Sequence, residues 1–183
     1  MTSPPSSTSL VLTIIGTDRP GLVDSLAEVV ANNGGNWLES RMAHLGGKFA
    51  GIVHVEVAGA NGEALMAALK QLESEGLQVV SEHDANPPTE TGWTLVTLDA
   101  VGNDRPGIVR DVTHALAERN VNVEQFETEY TTAPMSGGSI FKATAKLRLP
   151  PEVPVTQLRD DLESLAGDIM VDIKIRPMDD DRP

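Results

Sequence analysis

Apolar residues alternate at Leu10, Leu12 and Ile14, the period of a strand with one buried face, and then change to helical spacing at Leu22, Val23, Leu26, Val29 and Val30. The same change of period returns at Val96, Leu98 and Ala100, followed by Ile108, Val109, Val112, Ala115 and Leu116. Gly34 and Asn120 stand where these two helices should stop, and both residue types readily take the left-handed conformation found beyond helix ends. Extended stretches follow at 36–45 and 122–131, and again at 49–57 and 140–149, which predicts one hairpin in each half. Gly46-Gly47 predicts a tight first hairpin turn, whereas 132–139 predicts a long loop of the kind that covers a site, with Met135 within it. A second helix is expected through Leu65, Met66, Leu69 and Leu72 before Gly76, and through Leu158, Leu162 and Leu165 before Gly167, with Pro154 at the start of the latter. Closing strands are expected at 77–82 and 169–175.

The two halves are copies. Gly16-Thr17-Asp18-Arg19-Pro20-Gly21-Leu22-Val23 returns as Gly102-Asn103-Asp104-Arg105-Pro106-Gly107-Ile108-Val109, 86 residues on, and the apolar pattern keeps that register on both sides. Each copy reads strand, helix, strand, strand, helix, strand. With right-handed crossovers, that order gives an α+β fold: two ferredoxin-like βαββαβ domains, each an antiparallel four-stranded sheet with both helices on one face. The expected organisation is a flexible N-terminus over 1–8, a first domain over 9–84, a polar, proline-bearing linker over 85–92, a second domain over 93–177 and a flexible tail over 178–183. The face opposite the helices, carrying Val11, Thr13 and Ile15 in one copy and Thr97, Asp99 and Val101 in the other, is mixed rather than strongly polar, so pairing of the halves or of two chains is expected there.

Composition narrows the function. The absence of cysteine removes disulfides, thiolate chemistry and sulfur-ligated metals. A net charge of −13 opposes direct nucleic-acid binding, because phosphate contacts need a local excess of lysine and arginine. The first residues lack the basic and apolar regions of a signal peptide, and no apolar run approaches membrane-spanning length, so a cytoplasmic location is expected. His44, His54, His83 and His114 are dispersed, no glycine pattern of a nucleotide cradle follows a strand, and no serine lies in a nucleophile-elbow motif. No metal, no cofactor and no catalytic activity are expected. Asp160, Asp161 and Glu163 read as a solvated helix face, and Trp37 and Trp93 as core or inter-module residues.

The candidate chemistry lies in the repeated turn. Gly21 and Gly107, without side chains, would let a ligand carboxylate reach backbone N–H groups at a helix start, where the dipole favours negative charge. Asp18 or Asp104 would accept hydrogen bonds from a ligand ammonium, and Asn36 or Asn122, opening the next strand, can donate and accept. Together these groups would read an amino-acid zwitterion. The alternative is a well-formed strand-to-helix turn alone, with the aspartate capping nearby N–H groups and Arg19 and Arg105 solvated or paired at the surface.

Two copies of a strand leading into Asp-Arg-Pro-Gly-Leu/Ile-Val, then a helix and an Asn-led strand, resemble tandem ACT domains. The order and length of the chain, and the 133–138 loop ahead of Ile140-Phe141-Lys142-Ala143, resemble the glycine cleavage system transcriptional repressor group. That resemblance implies a non-catalytic regulatory protein that senses a small amino acid such as glycine and touches a transcription factor through protein contacts, with an oligomer possible. It also implies a ligand held between the turn and the strand of a neighbouring domain, with Asp18, Asn36, Asp104 and Asn122 as contacts and Gly21 and Gly107 as backbone donors. Some amino-acid-binding members carry Asn where this chain has Asp18 and Asp104, and a polar ring or amide where it has Gly16 and Gly102, so the carboxylate is expected either to change ligand preference or to abolish binding. The competing readings are a ligand-independent interaction module and a small enzyme on the same fold.

Overall fold

Strict alternation in the first strand puts Leu10, Leu12 and Ile14 on one side with essentially no exposure, while Thr13 and Ile15 point the other way. A computed structural model describes residues 7–84, 92–132 and 138–178, so the linker, the termini and the loop with Met135 lie outside the described residues. The first unit runs β1 (Ser7–Thr17), α1 (Leu22–Asn32), β2 (Gly35–Leu45), β3 (Lys48–Ala58), α2 (Gly62–Gln71) and β4 (Leu77–His83), with 3-10 turns at Gly59–Asn61 and Leu72–Glu75. The second runs β5 (Thr94–Asn103), α3 (Ile108–Glu118), β6 (Asn122–Thr132), β7 (Ser139–Leu149), α4 (Val155–Ile169) and β8 (Val171–Pro177).

Both sheets are antiparallel, in the orders β2-β3-β1-β4 and β6-β7-β5-β8. The first copy's core joins Leu22, Leu26 and Val30 of α1 and Leu65 and Leu69 of α2 to the inward residues of its strands, so both helices share one sheet face. In the second copy Ile108, Val112, Leu116, Leu158 and Leu162 do the same. This is the α+β, ferredoxin-like architecture that the sequence predicts, twice over. The repeat extends to irregularities: the register slips between Trp37 and Glu39, and again between Val123 and Gln125, so Leu38 and Glu124 bulge from equivalent places.

Helix ends follow the sequence with one exception. Gly34 and Asn120 have φ of +70° and +53°, and Gly46 and Gly47 have positive φ as a two-residue hairpin turn demands. Gly167 does not end α4, which runs on to Ile169 and stops at Met170 with φ +53°, so β8 begins at Val171 rather than at Ile169. Ile169 continues the apolar stripe of Leu158, Leu162 and Leu165 and is buried, and that burial outweighs the modest helix penalty of one glycine. Trp37 packs against the first core, and Trp93 lies under the guanidinium of Arg148, 4.9 Å from the ring centre.

Candidate functional site

The strand-to-helix turn is built by glycines in two roles. Gly16 is buried at the end of β1, and a Cβ there would lie 2.8 Å from the Gly76 carbonyl oxygen. Gly102 repeats this, with the Met170 carbonyl oxygen at 2.8 Å and the Val171 Cα at 2.9 Å. The missing side chain lets the last strand close on the first, which explains why neither position holds a polar group. Gly21 and Gly107 serve differently, since their φ values of +89° and +96° belong to the left-handed region.

In the first copy the Asp18 N–H donates to the Gly47 carbonyl at 3.0 Å, joining the turn to the β2–β3 hairpin. The helix ladder opens with the Ser25 N–H donating to the Gly21 carbonyl at 2.9 Å, so the N–H groups of residues 22–24 have no acceptor within the helix. No side chain caps α1, and the expected capping role of the aspartate is not seen: the residue at the cap is Gly21. The Asp18 carboxylate instead lies 3.7 Å from Nδ1 of His44. Arg19 reaches the Glu75 carbonyl at 3.2 Å and its carboxylate at 3.7 Å, both side chains about half exposed, as expected for a surface pair. A shallow cavity of about 380 Å³ is lined by Asp18, Arg19, Gly21, Leu22, Val23, Asp24 and Phe49.

The second copy keeps the backbone and changes the charges. Asp104 N–H donates to the Ser139 carbonyl at 2.9 Å, Asp111 N–H to the Gly107 carbonyl at 2.9 Å, and α3 likewise has no side-chain cap. Here, however, Asp111 stands in the helix's first turn and gathers two arginines. Arg110 donates to one of its oxygens from Nε at 3.0 Å and Nη2 at 2.8 Å, and Arg105 donates to the other at 3.1 Å. The Arg110 bonds first, then the Arg105 bond, hold the Asp111 carboxyl below its ordinary value. Both guanidiniums lie over Gly107, 3.6 and 3.8 Å from where a Cβ would stand. Position 25 of the first copy, equivalent to Asp111, is Ser25, so this cluster has no counterpart there.

Each unit brings its Asp and Gly together but not its Asn. Asn36 lies opposite Glu56, which lies opposite Ser9, eight residues up β1 from Thr17. That is roughly 26 Å at ~3.3 Å per residue, so Asn36 and Asp18 of one unit cannot hold the same small molecule. Asn122 is likewise at the far end, opposite Arg148 and Leu95, and its amide donates to Glu124 at 2.6 Å. Glu124 in turn pairs with Arg148 at 2.9 Å. A polar group that the sequence did not signal joins Ser9, His54 and Asp84, with the Ser9 hydroxyl 2.6 Å from His54 Nε2 and 3.3 Å from Asp84. Its members are 45 and 75 residues apart, and only the register of β1 with β3 and β4 unites them. Among the described residues no three His, Asp or Glu side chains converge to hold a metal, and no helix is long and apolar enough to cross a membrane.

The geometry defines a class of βαββαβ module with an uncapped helix start behind an Asp-Arg-Pro-Gly turn, present twice. Residues 8–82 match the ACT domain family, and the second unit repeats that topology, so the fold is that of two ferredoxin-like ACT modules in tandem. No curated protein matches the chain. A protein of unknown function from Galdieria sulphuraria is similar in structure, with TM-score 0.81, 28% identity and coverage of 95% of this chain and 100% of that one. A protein proposed to be a glycine cleavage system transcriptional repressor superimposes with TM-score 0.69 at 20% identity, over 95% of this chain and 99% of the other, and so shares the fold.

Proposed function

We propose that this chain is a non-catalytic regulatory protein whose turn into α1 senses a small amino acid of glycine type, and which acts through protein contacts on a transcription factor of the glycine cleavage system. One observation carries the sensing role: the uncapped N–H groups at the start of α1 open onto a cavity that also holds the Asp18 carboxylate, so donors for a carboxylate and an acceptor for an ammonium line one hollow. Asp104 and Gly107 are the equivalent contacts of the second copy. Asn36 and Asn122 take part only where a ligand is held by a different copy of the domain. The tandem ACT fold and the likeness to a proposed glycine cleavage repressor support the regulatory reading.

The test is the unfolding midpoint with each common amino acid at millimolar concentration. A ligand at 100 times its Kd stabilises the folded chain by about 2.7 kcal/mol. A selective rise with glycine or a near relative, lost in Asp18→Ala, is expected. A flat response to every amino acid would instead select a constitutive interaction module. That second reading is favoured by the positive φ of Gly21 and Gly107, which requires glycine whether or not a ligand binds.

A further inference from the structure

The arginine of the repeated turn points in different directions in the two copies. Arg19 runs away from the turn and meets the Glu75 carbonyl at 3.2 Å and its carboxylate at 3.7 Å. A Cβ built on Gly21 meets nothing within 4 Å, so the approach to the N–H groups of residues 22–24 is open. The pairing of Gly16 with Leu77 and of Gly102 with Val171 makes Ile169 the counterpart of Glu75. Ile169 is a buried alkyl side chain, so Arg105 has no carboxylate to reach there. It turns over Gly107 instead, where Asp111 accepts from its Nη2 at 3.1 Å and the Pro106 carbonyl from its Nη1 at 3.2 Å. Arg110, standing where the first copy has Asp24, donates to the same Asp111, which stands where the first copy has Ser25.

We propose that Arg105 and Arg110, held by Asp111, cover the contacts of the second copy, so that the first copy takes the amino acid first and the second binds it far more weakly. This rests on the sensing role proposed above for the turn. The cover is steric: the two guanidiniums stand 3.8 and 3.6 Å from the Cβ position of Gly107, on the approach to the N–H groups of residues 108–110. It is electrostatic as well. A ligand carboxylate drawn to those N–H groups and to the arginines meets the Asp111 carboxylate, which already stands in the first turn of α3 and serves the helix dipole as the ligand would. To enter, the ligand has to displace charge-assisted hydrogen bonds, the stronger kind that side chains make.

Backbone amide NMR of the full chain, titrated with glycine, tests this copy by copy. The N–H signals of residues 22–24 should move first, and those of 108–110 should need a roughly tenfold or higher concentration, the ratio set by one charge-assisted hydrogen bond. The paired change Arg110→Asp with Asp111→Ser installs the residues that the first copy carries at the equivalent places. It should therefore fold with unchanged circular dichroism and bring the two midpoints within about threefold of each other. Arg105→Gln leaves Arg110 and Asp111 paired and should shift the 108–110 midpoint part of the way. Equal midpoints in the wild type, or a 108–110 midpoint indifferent to both variants, overturn the proposal. Silence of residues 22–24 toward glycine removes the sensing role of the first turn instead. The cover then stands if the paired change makes 108–110 respond, and falls if it does not.

Discussion

At the scale of single residues, the repeated motif holds two kinds of glycine with different physical demands. Gly21→Ala meets no neighbouring atom and costs only the left-handed backbone, about 1–2 kcal/mol, and Gly21→Asn should recover part of that because Asn visits this region. Gly16→Ala has an ordinary backbone but drives a Cβ to 2.8 Å from the Gly76 carbonyl, an overpacking cost of about 1–3 kcal/mol, and Gly16→Asn should be worse still. Urea midpoints for the four variants separate the roles. Asp111 makes a second residue-scale prediction, in pH. Its arginine partners favour the ionised form, so its contribution to stability is present above the ordinary carboxyl value of 3.8 and is lost as pH falls through the lowered folded value. A carboxyl NMR titration should place Asp111 below 3.8, and Arg110→Gln should raise it more than Arg105→Gln does, since the Arg110 hydrogen bonds are the larger cause.

At the scale of elements, burial separates residues that the helical pattern treats alike. Leu26 and Val23 both lie on the apolar side of α1, yet Leu26 is fully buried and Val23 is 42% exposed. Leu26→Ala should cost about 2–5 kcal/mol, and Val23→Ala at most about 0.5 kcal/mol, read from the same denaturation curves. The strands, the four helices and their order were legible because period and repeat carry the same message twice. The end of α4 was not, because Gly167 is a local signal while the burial of Ile169 is decided by the whole core. The candidate site divides along the same line. Asp18 and Gly21 are neighbours in sequence and therefore in space, but the place of Asn36 depends on which end of the sheet β2 begins at, and the pairing of Asn36 with Glu56 puts it far from the turn. The Ser9, His54 and Asp84 group and the two arginines over Gly107 depend on side-chain directions that no spacing rule encodes.

At the scale of the whole molecule, the chain divides into two compact units, 1–87 and 88–183, and each core is closed by residues of its own unit. Fragments 7–84 and 92–178 should therefore fold separately, although at this size each sits near the lower limit for a self-sufficient core. Their stabilities should differ. Among the described residues the first core has 13 buried hydrophobic residues and the second 18, with Val171, Ile173 and Ile175 of β8 adding three where β4 contributes Leu77. Fragment 92–178 is accordingly expected to show the higher thermal midpoint by far-ultraviolet circular dichroism.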